Sequence, residues 1–202
     1  RDDLVTGVQT CALPIFNLIN NFDFINSIST KKDEKYLKKI LNINISAFNR
    51  FLFSKNLSEY SLIEFKVYIL IKFILGNEVT NINKKFKMII DNQIDSFAMH
   101  KSYNMFEQSK CVNDIDEIIS ILLNFNYDVP QILYLTKLKM ETVLAQYFHK
   151  DGSLALFNGV NNNNLQKIKQ SLNDKPNIRK IQFPDNLNGI FFFEDKNKKI
   201  FL

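Results

Sequence analysis

The side chains best suited to chemistry lie in one short segment, residues 99–107, which reads MHKSYNMFE. It carries an imidazole (His100), a phenol (Tyr103), an amide (Asn104) and a carboxylate (Glu107). Such groups donate and accept hydrogen bonds or protons, and histidine does so near neutral pH. Three of them also have a structural interpretation. His100 braces the following helix, Tyr103 is a loop aromatic, and Glu107 is a first-turn acid favoured by the helix dipole.

A second unusual segment is FHKDGSLALFNG at residues 148–159, which holds two of the five glycines in the chain. His149 and Lys150 suit the carboxyl end of a helix, where cations complement the dipole. Asp151-Gly152 stops that helix, and Asn158-Gly159 is a second turn signal. The small apolar residues between them predict a tightly packed crossing, and the turn at Asp151 needs no chemistry.

Helical periodicity predicts the elements that position these segments. Apolar residues recur every three or four positions, and Ser58 and Gly76 are predicted to cap and end the second helix. That helix is apolar around more than half its circumference, which predicts cover on two sides. The fold class is therefore mainly α, with stacked helical hairpins in a solenoid or an α/α toroid. The five predicted helices span residues 33–53, 58–76, 80–94, 105–124 and 129–149.

The pattern changes after Gly159, where residues 161–202 form a predicted linker and the start of a β domain. The segments IRKIQF, GIFFFED and KKIFL alternate as strands do, with turns at Pro184-Asp185 and at 195–197. Two or three strands are marginal alone, so they are predicted to open a β-sandwich.

The first 15 residues differ from the rest in composition. Val5 to Ile15 reads as the conceptual translation of a sequencing-library adapter, so we exclude residues 1–15 from fold prediction. Residues 16–160 are then the predicted helical domain, part of a longer natural chain. The alternative is a short apolar N-terminal arm.

Composition narrows the function classes. The chain is 46% hydrophobic and 23% charged, which is typical of a globular domain. The sequence pI is about 9.0, but the lysines are dispersed among acids without an arginine stripe. This disfavours nucleic acid and is compatible with an acidic polysaccharide. The longest apolar run, VYILIKFIL, is too short to span a membrane. Cys111 is predicted to be a small core residue rather than a nucleophile.

The segments at 99–104 and 148–159 resemble bacterial heparinase II/III-like proteins. FHKDGSLALFNG is similar to the end of that family's helical domain, and MHKSYN to its post-helix motif. NGIFFFEDKNKKIFL resembles the first hairpin of the family's β-sandwich. The resemblance covers roughly residues 30–202 and implies a polysaccharide lyase, with an incomplete α/α toroid followed by a β-sandwich. Such enzymes cleave uronate-containing glycans by β-elimination.

The resemblance also implies roles for particular residues. His100 matches a catalytic position of the family. Tyr103 is only close to a catalytic position, because the family's acid/base tyrosine falls near Glu107. Asn56, Asn104 and Glu107 are implied substrate-binding residues, and Asn56 is otherwise an ordinary residue at a helix start. No cofactor or metal is implied for this stretch, since the family's metal positions lie in the β domain beyond Leu202.

Competing functions stay open at this stage. The principal alternative is a non-catalytic α-helical scaffold or binding module, and nucleic-acid binding would need a contiguous lysine face. The glycan, the oligomeric state and the compartment, periplasmic or cytoplasmic, are also open.

Overall fold

The computed structural model describes residues 3–148, 168, 186–187, 190–194 and 199–201. In these residues the chain is mainly helical. It divides into two compact units, residues 1–89 and 90–202. The described helices are α1 (Asp3–Asn20), α2 (Phe22–Ser27), α3 (Lys31–Phe53), a 3-10 turn (Leu57–Glu59), α4 (Leu62–Ile74), α5 (Ile82–Gln93), α6 (Met105–Asn124) and α7 (Gln131–Gln146).

The predicted helices are present, and most of them have different ends. The prediction for α6 is confirmed to the residue, and α3 begins two residues earlier than predicted. Helix α5 begins at Ile82, two residues later than predicted, and α7 ends at Gln146 rather than near His149. At α7 the capping residue is Tyr147, whose backbone N–H bonds back to the carbonyls of Leu144 and Ala145.

The predicted start of the second helix at Ser58 is wrong. Ser58 lies inside the 3-10 turn, and α4 begins after Ser61. The backbone N–H of Glu64 donates to Ser61 Oγ at 3.3 Å, and Ser61 N–H donates to the Glu64 carboxylate at 2.7 Å. This reciprocal capping box stabilises a start three residues later than the pattern suggested.

Two helices end in the same left-handed motif. Gly76 follows α4 with φ +68°, and Asn126 follows α6 with φ +54°. In each case the next N–H reaches back to a helix carbonyl: Asn77 to Lys72 and Tyr127 to Leu122. These are Schellman caps, which favour glycine or asparagine at the left-handed position. Gly76 therefore ends its helix as predicted.

The first unit is built around α4. Its buried residues lie on all sides of the helix, as predicted for an element covered from two directions. Ile74, at its end, is exposed instead. Helix α1 packs against α3 and α4, with Ala12 and Ile15 buried. Lys66 Nζ lies 4.2 Å from the centre of the Phe16 ring.

Helix α1 crosses the predicted boundary at residue 15. It continues through Pro14, whose missing N–H removes one helical hydrogen bond. A helical conformation does not test where residues 1–15 come from, so the adapter interpretation stays a prediction.

The second unit contains the α6–α7 hairpin. Gln108 near the start of α6 contacts Met140 late in α7, and Asp116 further along α6 pairs with Lys137. The two helices are therefore antiparallel. Cys111 is buried in α6, as predicted, and burial raises the pKa of its thiol. A core cluster beside the hairpin consists of Met99, Met105, Val143, Leu144, Tyr147 and Ile168.

Three short strands are described in the last part of the chain: β1 (Asn186–Leu187), β2 (Ile190–Glu194) and β3 (Lys199–Phe201). They form one antiparallel sheet in the order β1-β2-β3, with Leu187 opposite Ile190 and Phe193 opposite Ile200. The hairpin β2–β3 occupies the predicted position. The predicted strand IRKIQF and the segment 149–159 lie outside the described residues. Within the described part, no helix is long and apolar enough to cross a membrane.

Candidate functional site

The segment singled out for chemistry belongs to a closed loop between α5 and α6. Ile94 and His100 form an antiparallel bridge, and Lys101 N–H donates to the Gln93 carbonyl at 2.9 Å. The Asp95 N–H donates to the Met99 carbonyl at 2.8 Å. The loop therefore returns on itself, so that residue 100 lies beside residue 94.

Asp95 shapes the inside of this loop. Its Oδ1 accepts hydrogen bonds from the N–H groups of Phe97 and Met99, both at 2.9 Å. Ala98 adopts φ +64°, a left-handed conformation that is uncommon for a residue with a Cβ. The side chain of Asp95 thus satisfies donors that a tight loop would otherwise leave unpaired.

Gln108 fixes the loop to the helices. Its side chain is completely buried. Oε1 accepts from His100 N–H at 2.7 Å, while Nε2 donates to the carbonyls of Ala98 at 2.9 Å and Met140 at 3.1 Å. One amide therefore joins the loop, α6 and α7, and it places the backbone of His100.

The imidazole of His100 has a defined orientation and tautomer. Its Nδ1 accepts a hydrogen bond from the backbone N–H of Ser102 at 3.2 Å and lies 2.7 Å from Ser102 Oγ. A backbone N–H can only donate, so Nδ1 carries no proton in the neutral ring. Ser102 Oγ in turn accepts from Asn104 N–H at 3.3 Å. The proton of neutral His100 is therefore on Nε2, which makes that atom a donor.

The surroundings favour the neutral ring. Partial burial lowers the pKa of His100 below its ordinary value of 6.5, and the charge of Lys110 lowers it further. Glu107 acts in the opposite direction, but burial is the larger effect. At neutral pH His100 is thus an uncharged hydrogen-bond donor.

Tyr103 lies at the turn into α6. Its backbone adopts φ +52°, and its N–H donates to the His100 carbonyl at 2.7 Å. The half-buried ring packs against the core cluster that contains Tyr147. Burial raises the pKa of the Tyr147 phenol, and the negative charge of Asp95 adds to the effect.

Asn104 and Glu107 occupy the first turn of α6. Asn104 is the N-cap residue, and its Oδ1 accepts from the N–H groups of Phe106 and Glu107 at 2.8 and 3.3 Å. The Glu107 carboxylate pairs with Lys110 Nζ at 2.6 Å, and Lys110 also lies 4.5 Å from the centre of the Phe106 ring. Both residues thus have structural partners, and their proposed roles toward substrate stay predictions.

Asn56 belongs to the first unit, in the loop after α3. Its Nδ2 donates to Glu59 Oε1 at 2.9 Å, and its N–H donates to Glu59 Oε2 at 3.3 Å. The local sequence thus brings together His100, Tyr103, Asn104 and Glu107, whereas Asn56 is described only within its own unit.

Sequence reasoning missed the residues that hold the loop, namely Asp95, Gln108 and Tyr147. An aspartate two residues before Phe97 is a recognisable turn signal. Gln108 and Tyr147 carried no local signal, because their partners are distant in sequence.

In the part of the chain that the structure describes, no three His, Cys, Asp or Glu side chains come together as a candidate metal site. Comparisons of the chain with protein-family models, curated proteins and solved structures return no match.

Proposed function

We propose that the chain is part of a heparinase II/III-like polysaccharide lyase that cleaves a uronate-containing glycan by β-elimination. The observation that carries the proposal is the orientation of His100, a neutral imidazole held at the head of α6 with its proton on Nε2. The sequence elements at 99–104 and 148–159 support the same family. In this proposal, the consecutive helices belong to an incomplete α/α toroid and the strands to a β-sandwich.

The reaction defines what His100 would do. A base removes the proton next to the carboxylate, the C4–O bond breaks, and its electron pair goes to the leaving oxygen. The electrons of the broken C–H bond form the C4–C5 double bond, and the leaving oxygen takes up a proton. Neutralising the carboxylate lowers the pKa of the proton that must be removed. A neutral Nε2–H donor suits this neutralising role better than the role of base.

Tyr103 is the proposed proton-transfer residue. It is adjacent to the His100–Ser102 hydrogen bond in sequence and joined to the His100 carbonyl by its own N–H. A tyrosine in its phenolate form can take the proton from carbon, and the phenol so formed can give that proton to the leaving oxygen. Asn56, Asn104 and Glu107 are the proposed substrate contacts.

The proposal is tested with the whole protein encoded by the gene. Purified protein is incubated with uronate polymers of different linkage, and the ultraviolet absorbance of unsaturated uronate is followed. We expect absorbance from at least one polymer and a loss of 100-fold or more, roughly, in His100→Ala and Tyr103→Phe. Lys101→Gln, an exposed neighbour, is the matched control and should retain activity.

A second candidate function, a non-catalytic binding module, is favoured by one observation. Two described surface hollows, of about 550 and 450 Å³, lie in the first unit, and neither is lined by His100 or Tyr103. On this hypothesis Gln108 and His100 only brace α6. Polymer binding without any unsaturated product would favour this module over the lyase.

A further inference from the structure

Helix α3 has two chemically different faces. Ile45, Phe48 and Leu52 are buried on one of them. At about 100° per residue, the cations of the helix fall within an arc of about 120° on another side. We call this side the basic face, and its members are exposed: Lys31, Lys32, Lys35, Lys38, Lys39 and Arg50, with Asn42 and Ser46 between them.

The basic face is long, and acidic side chains of the described residues neutralise little of its charge. From Lys31 to Arg50 the helix rises about 28 Å. Over residues 31–50 six cations stand against two acids, Asp33 and Glu34. Asp33 is occupied by the capping box with Thr30, and Glu34 pairs with Lys38 at 2.5 Å. These lysines are dispersed along the sequence, but the period of the helix places them on one side of α3.

A hollow of about 550 Å³ lies along this face. Its lining side chains are neither acidic nor aromatic. They are Lys35, Lys38, Lys39, Asn42, Ile43, Ser46 and Arg50. Lysine ammonium groups contact anions as point charges, without a bidentate geometry. The amide of Asn42 and the hydroxyl of Ser46 can donate and accept hydrogen bonds with sugar hydroxyls. Sites for single-stranded nucleic acid rely on aromatic stacking, which this lining lacks.

We propose that the basic face of α3 docks a linear polysaccharide carrying repeated carboxylate or sulfate groups. The surface follows from charge and spacing within the first unit, and the choice of polymer rests on the proposed function. Docking needs neither His100 nor Tyr103, so this surface is a binding site separate from the loop between α5 and α6.

The test compares two triple variants of the 202-residue chain that have the same net charge. Lys35→Gln/Lys39→Gln/Arg50→Gln removes three cations of the basic face. Lys84→Gln/Lys87→Gln/Lys139→Gln removes three exposed cations elsewhere and is the control. Binding to fluorescently labelled heparin and alginate is measured by anisotropy at low and near-physiological salt, with circular dichroism as a check on folding.

We expect the unaltered chain to bind at least one polymer, more weakly at higher salt. The basic-face variant should lose about tenfold or more in affinity, and the control should stay within about twofold. Equal losses in both variants, or no binding by the unaltered chain, would overturn the proposal. So would tighter binding to single-stranded DNA of matched charge, since that outcome identifies a nucleic-acid surface. The binding assay measures no turnover, so failure to detect lyase activity would leave the conclusion about the basic face unchanged.

Discussion

At His100 a single hydrogen bond decides which chemistry the ring can perform. Because Ser102 N–H donates to Nδ1, the neutral imidazole offers a proton at Nε2 rather than a lone pair. The residue was recognised in the sequence by its type and neighbours. Its tautomer could not be predicted, since it depends on the turn that brings residue 102 back to the ring.

The first prediction concerns the titration of His100. Burial lowers its pKa below 6.5, so the unfolded chain binds the proton first as the pH falls. This residue's contribution to stability is therefore present above about pH 6.5 and is lost as the pH falls through the folded-state value. The C2 proton of the ring, followed by NMR in a His149→Gln background that leaves one histidine, should report a pKa below 6.5. A value at or above 6.5 would contradict the described environment.

The second prediction concerns Gln108. Gln108→Leu keeps a similar volume but removes the partners of His100 N–H and of the Ala98 and Met140 carbonyls. Each buried polar group left without a partner costs about 1–3 kcal/mol, so we expect a loss of roughly 2–4 kcal/mol in the free energy of unfolding. Urea denaturation measures this loss. Gln131→Leu, on an exposed site of α7, is the control and should change stability by less than about 0.5 kcal/mol.

At the scale of elements, the helices were predictable, but several of their ends were not. Met105–Asn124 was predicted to the residue, because its apolar residues recur with a strong helical period. Ser58 and Ser61 both look like helix caps, and only the capping box with Glu64 distinguishes them. Lys55, in the preceding loop, also pairs with the buried Glu64 carboxylate at 2.9 Å.

The third prediction separates these two serines. Ser61→Ala removes a hydrogen bond to the buried Glu64 carboxylate and the acceptor for Glu64 N–H. It should destabilise the fold by about 1–2 kcal/mol, as loss of a helix cap does. Ser58→Ala should cost clearly less, because Ser58 caps no helix in the structure. Equal effects in urea denaturation would argue that α4 begins at the earlier serine.

The fourth prediction concerns the end of α6. Asn126 is left-handed, so Asn126→Ala places a Cβ where it is disfavoured and should cost about 1 kcal/mol. Asn126→Gly keeps the Schellman cap and should leave stability within about 0.5 kcal/mol. Thermal unfolding of both variants measures the difference. An alanine variant as stable as the glycine variant would contradict the left-handed assignment.

At the scale of the whole molecule, two units carry two different kinds of surface. The first unit presents the basic face of α3, and the second holds the His100 loop. Sequence composition was compatible with an acidic partner, but it could not locate the basic face, since these cations come to lie on one side only when residues 31–53 form a helix. The predicted resemblance to heparinase II/III-like proteins pointed to residues 99–104 but not to Gln108, because the contact of Gln108 with Met140 joins residues 32 positions apart.

The most direct test of the proposed lyase is mass spectrometry of the products that the whole protein releases from uronate polymers. Elimination leaves a new non-reducing end that lacks one water relative to the product of hydrolysis. We predict oligosaccharides with this unsaturated end from the natural protein, and none from His100→Ala at equal concentration. Saturated products alone, or no products from any uronate polymer that the protein binds, would contradict the assignment.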